Sequence, residues 1–78
     1  MKIIISNLGL NVTEESLRAT FATYGEVQSS KLIDPTPGYT GRFALIEMPD
    51  EKQKAKAILR MNGSILDTHQ IVVRGVSN

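Results

Sequence analysis

The sequence predicts an α+β domain, a four-stranded antiparallel sheet with two helices on one face, and three observations carry that prediction. Apolar or β-branched runs without helical period lie at residues 2–6, 26–33, 42–48 and 71–73. Between them, residues 13–24 and 51–61 repeat apolar side chains at intervals of three and four. Gly, Pro, Asn and Asp punctuate every junction. Seventy-eight residues leave room for one small core, so 1–78 reads as a single domain.

Lys2-Ile3-Ile4-Ile5-Ser6 is β-branched and runs into Asn7-Leu8-Gly9, which makes a first strand and a loop. Thr13 supplies an oxygen for the free amides of a helix start, and Glu14 and Glu15 sit in the first turn, where the dipole favours anions. Leu17, Phe21 and Tyr24 form one apolar stripe, and Gly25 offers a left-handed stop, so the first helix is expected over Thr13–Tyr24. Val27, Leu32 and Ile33 mark a second strand over Glu26–Ile33, ended by Asp34-Pro35-Thr36-Pro37-Gly38. Arg42–Met48 is a third strand. Pro49-Asp50 breaks it and caps a helix over Glu51–Met61 with Ala57, Ile58 and Met61 on one face and Asn62-Gly63 at its end. Ile71-Val72-Val73 is the last strand.

The resulting order is β-α-β-β-α-β, the ferredoxin-like split-βαβ arrangement, a two-layer sandwich in which one sheet face is covered by helices and the other is bare. Right-handed crossovers leave few alternatives. Strand parity then separates the faces. In the third strand Ala44, Ile46 and Met48 lack charge and face the helices, which turns Phe43, Leu45 and Glu47 outward. Likewise Ile3 and Ile5 face in, and Ile4 and Ser6 face out. Lys31 falls on the bare face, as does Arg74 if Ile71 and Val73 point inward.

Composition narrows the chemistry. Without cysteine there is no disulfide, thiolate nucleophile or Cys-based metal site, and His69 alone builds no metal centre. The six glycines are dispersed as turn residues, not gathered in a phosphate loop, and no Ser, His and carboxylate constellation is spaced for catalysis. No enzyme, cofactor or metal is expected. No apolar run approaches the length that crosses a bilayer, and the chain reads as soluble and cytoplasmic. A net charge of +1 is far from that of a strongly basic nucleic-acid domain, so any polyanion partner must be argued from where side chains sit. Lys52, Lys56 and Arg60 recur every four residues along the second helix, away from the sheet, and read as a solvated face.

Two motifs carry a resemblance. Ile3-Ile4-Ile5-Ser6-Asn7-Leu8 is similar to the six-residue motif of the RNA recognition motif family, and Gly41-Arg42-Phe43-Ala44-Leu45-Ile46-Glu47-Met48 to its eight-residue motif. Leu17, Phe21, Tyr24-Gly25-Glu26-Val27, Ala57-Ile58 and Met61-Asn62-Gly63 extend the likeness over nearly the whole chain, which resembles the single-domain bacterial members. The resemblance implies non-catalytic binding of short single-stranded RNA, with single-stranded DNA as its chemical relative, on the open sheet.

In the family, bases stack on aromatics at the second hexapeptide position and the third and fifth octapeptide positions. These are Ile4, Phe43 and Leu45 here, so one aromatic of three is present. Each stacked base is worth about 1–3 kcal/mol. The two aliphatic platforms therefore imply weak, strongly salt-dependent binding of low sequence specificity. A second departure is Gly41-Arg42, where the family usually has a basic residue and then glycine. Parity puts Arg42 on the helix side, and a bulge at the strand start would swing it toward phosphate. Tyr39 is the stacking candidate of the loop 35–40, which has no Lys or Arg. Ser6, Asn7 and Glu47 are candidate hydrogen-bonding groups, and Lys31 and Arg74 candidate phosphate or base-edge contacts. The alternative is a protein-interaction module, most simply a homodimer, that covers Ile4, Ile33, Phe43, Leu45 and Val72.

Overall fold

The computed structural model describes residues 2–35, 37–38 and 41–76. Its elements in chain order are β1 (Lys2–Leu8), α1 (Glu14–Ala22), β2 (Ser29–Ile33), β3 (Arg42–Glu47), α2 (Glu51–Met61), β4 (Ile65–Leu66), β5 (His69–Gln70) and β6 (Val72–Val76). β2, β3, β1 and β6 lie side by side in that order as one antiparallel sheet, and β4 and β5 form a separate small hairpin. This is the expected ferredoxin-like fold. The two central strands are the ones that carry the two motifs.

Both helices start where side-chain chemistry places them. Thr13 accepts a bond from the Ser16 amide through its hydroxyl while Ser16 Oγ accepts from the Thr13 amide, a reciprocal cap. Asp50 Oδ1 accepts from the Gln53 amide at the start of α2. The helices cover one sheet face, α1 behind β2 and α2 behind β6. The layer between them is sealed by Ile3 and Ile5 of β1, Ala44 and Ile46 of β3, Val73 of β6, Leu17 and Phe21 of α1, and Ala57 and Met61 of α2. Lys54 shares that apolar helix face and is buried. Its stem runs toward Gly75, so the aliphatic part of a long cation fills core space.

Four local expectations are corrected. α1 ends at Ala22, before Tyr24, and Gly25 is not in the left-handed region. Gly25 is required for another reason: a Cβ there would strike the side chain of Gln53, which approaches to accept a hydrogen bond from the Glu26 amide. β2 begins at Ser29, not Glu26, because Val27 turns into the core and only the Gln28 amide already reaches the Glu47 carbonyl. The last strand starts at Val72 and runs on to Val76, with Ile71 buried just before it. His69 belongs to the β4–β5 hairpin, whose turn residues Asp67 and Thr68 have φ of 51° and 63°. Two consecutive left-handed residues are the signature of a type I′ turn, but Asp-Thr is not the Asn-Gly or Asp-Gly pair that announces one. Among the described residues no helix is long and apolar enough to cross a membrane.

Candidate nucleic-acid interface

Register converts strand parity into a map of the open face. From β2 to β6, one row of outward residues is Ser29, Glu47, Lys2 and Val76. The next row is Lys31, Leu45, Ile4 and Arg74. The third begins Ile33, Phe43 and ends Ser6, Val72. Phe43 is 40% exposed, an unusual position for a phenylalanine in a sheet. With Ile4, Ile33, Ala44 and Leu45 it lines an apolar depression of about 310 Å³.

The middle row sets two aliphatic residues between two cations at the sheet's edges. Strands are spaced by about 4.8 Å, so Lys31 and Arg74 stand roughly 14 Å apart across the strip. Both are exposed, and neither has a carboxylate partner among the described residues. Lys2, Lys31 and Arg74 against Glu47 make the face net +2. Of the chain's nine Lys and Arg and eight Asp and Glu, six and seven remain elsewhere, which is net −1. A nearly neutral molecule thus concentrates positive charge beside its exposed ring.

Between Ile5↔Ala44 and Leu8↔Arg42 the β1–β3 register slips by one residue. β1 therefore bulges at Ser6-Asn7 opposite Phe43, and Asn7 is in the left-handed region with φ of 63°. Ser6 keeps its place on the open face, opposite Val72. Asn7 spends one amide hydrogen on the Gln70 carbonyl at 2.8 Å, which ties the bulge to the β4–β5 hairpin.

Of the residues expected at the site, Ile4, Ser6, Lys31, Phe43, Leu45, Glu47 and Arg74 share the open face. Asn7 lies at its rim and is partly engaged. Tyr39 lies outside the described residues. Arg42 is a correction. The bulge is in β1 rather than at the start of β3, so Arg42 is not swung out. Its Nη1 donates to the carbonyls of Leu10 at 3.1 Å and Val12 at 3.0 Å, and its side chain is only 15% exposed. Lys2 was missed, although the parity that puts Ile4 and Ser6 outward applies equally to it. Glu14 also does more than complement the dipole of α1. Its Oε2 accepts from the Leu32 amide at 2.8 Å and satisfies a donor on the free edge of β2.

Residues 3–72 match the RNA recognition motif family. The chain belongs to that family. It is 40% identical over 67 residues to RbpD of Nostoc sp., an inferred RNA-binding protein, with 82% of this chain and 69% of that protein aligned. It is also 31% identical over 74 residues to the U11/U12 small nuclear ribonucleoprotein 35 kDa protein of Bos taurus, covering 94% of this chain. The chain spans 30% of that protein's length. Among solved structures, RNA binding protein PG1 superposes with a TM-score of 0.81 at 32% identity, over 95% of this chain and 90% of that one.

Proposed function

We propose that this RNA recognition motif binds two or three nucleotides of single-stranded RNA across β1 and β3, weakly, with little sequence specificity and without chemistry. The observation that carries this reading is the row Lys31, Leu45, Ile4, Arg74 beside the exposed Phe43 ring. One base stacks on Phe43, and its neighbours lie on Leu45 and Ile4. Lys31 and Arg74 meet phosphates at either edge, with Lys2 as a third cation.

Every base has a π face, so stacking tolerates any sequence. Few polar groups, namely Ser6, Glu47 and the free part of Asn7, are placed to read base edges. Single-stranded DNA fits the same strip, because stacking and phosphate contacts do not require the 2′-hydroxyl. Three neutralised phosphates give log K a slope near −2 against log salt, at about −0.7 per phosphate. Binding should then fall roughly 20-fold between 50 and 200 mM salt.

Self-association through the same face is the rival reading, favoured by the apolar depression and opposed by charge. Face-to-face packing would set one net +2 surface against another, with a single carboxylate, Glu47, on each face to offset three cations.

Fluorescence anisotropy with short random-sequence RNA at low salt tests the proposal. Phe43→Ala is expected to weaken binding about 5- to 150-fold, since a stacked base is worth ~1–3 kcal/mol. No binding at high protein concentration, or binding indifferent to Phe43→Ala, overturns it. A sedimenting dimer that Leu45→Glu abolishes would put self-association in its place.

A further inference from the structure

Phe43 occupies the least supported stretch of its strand. Toward β2, Ile33↔Phe43 is the last register pair. Toward β1 the ring's residue faces the bulge, with no register partner between Ile5↔Ala44 and Leu8↔Arg42. An aromatic platform beside an irregular stretch of ladder, if left without further support, would have to be ordered each time a base landed on it, and that ordering would subtract from affinity.

Arg42, the preceding residue, supplies the missing support. Gly41 adopts φ of 88° and brings the chain round into β3 so that the Arg42 side chain enters beneath the sheet's end. Its guanidinium then reaches two parts of the molecule. Nη1 bridges the Leu10 and Val12 carbonyls of the loop between β1 and α1. Nε stands 3.4 Å from Asp34 Oδ1, just past the end of β2. That Nε is buried and makes no hydrogen bond to any described residue, so its contact with Asp34 is one of charge. Asp34 is 86% exposed, which screens it and leaves the two carbonyl bonds as the stronger tie. The loop that receives these bonds is itself held. The Asn11 amide donates to Asp67 Oδ2 at 3.0 Å, and Asn11 Nδ2 to Asp67 Oδ1 at 3.3 Å. Arg42 is thus anchored to a braced part of the fold rather than to a free loop.

We infer that Arg42 is a positioning residue for RNA binding, one that holds the Phe43 platform in its stacking pose from below and does not itself meet phosphate. The inference rests on the RNA-binding reading above. Arginine suits the task because a planar guanidinium presents donors in a fixed fork, whereas a lysine ammonium is a point charge that would keep the charge and lose the clasp.

The test is RNA anisotropy at a temperature where every variant is folded, using short random-sequence single-stranded RNA. Arg42→Met and Arg42→Lys are both expected to weaken binding several-fold and by similar amounts, with the salt slope of the wild type retained. In a Phe43→Ala background the Arg42→Met loss should vanish, since the platform it supports is gone. A slope reduced by Arg42→Met but kept by Arg42→Lys, with a loss that persists in the Phe43→Ala background, would show a phosphate contact and overturn the inference. So would a lowered melting temperature with unchanged RNA affinity. If the substitutions prevent folding, wild-type protein still decides the matter by nuclear magnetic resonance: the Arg42 guanidinium signals should stay in place as the RNA is added, and a shift as large as that of Lys31 or Arg74 overturns the clasp. Wild-type protein that ignores RNA altogether would fail the RNA-binding reading first, a different result from intact binding with Arg42 irrelevant to it.

Discussion

Leu45 and Ile46 are consecutive residues of one strand, and different free energies govern them. Ile46 is fully buried, paired with Ile3 and sealed under the helices. Leu45 is half-buried on the open face, between Lys31 and Ile4. Water and a ligand compete for Leu45, whereas only the core competes for Ile46. A pleat of period two thus lets β3 build the core with one set of side chains and the binding strip with the other, so stability and affinity can be altered separately.

The largest effect should come from the sealed side. Ile46→Ala is expected to cost about 2–5 kcal/mol in urea unfolding, through lost transfer energy and the cavity left behind. RNA affinity of the folded fraction should be unchanged. A parallel loss of affinity would mean that the two faces are not separable.

Next in size is a gain on the open side. Leu45→Phe restores an aromatic where the family stacks a base, and anisotropy should show binding tighter by roughly fivefold, about 1 kcal/mol. Stability should barely move. No gain would mean that bases do not reach this row.

The smallest effects compare cations. Lys31→Met should weaken binding a few-fold and reduce the magnitude of the salt slope by about 0.7, one phosphate's share. Lys56→Met, on the exposed stripe of α2, should change neither. Equal effects from the two would shift the ligand's track off the sheet.

Much of the site was legible beforehand because parity is a local property. Alternation in Phe43-Ala44-Leu45-Ile46 needs nothing beyond the strand itself, and the same rule found Lys31 and Arg74. Lys2 is equally legible, because the parity that turns Ile4 and Ser6 outward applies to it as well. Helix starts at Thr13 and Asp50 were readable from capping chemistry that acts within three residues. What resisted were features whose cause lies elsewhere in the chain. Gly25 looked like a helix stop, but its constraint is the side chain of Gln53. The β4–β5 hairpin has strands of two residues, too short for any alternation to register.

By itself, the amino-acid order determined which residues alternate, where helices begin, and therefore which side chains of the motif strands share a face. Only the tertiary structure decided what Arg42 does. Its two carbonyl acceptors lie 30 and 32 residues away, and nothing in a local window encodes them. The placement of the bulge in β1 rather than β3 was likewise settled by pairing between distant strands. The side-chain period follows from the sterics of a single strand, whereas a guanidinium takes the direction in which folding has left carbonyls to be satisfied.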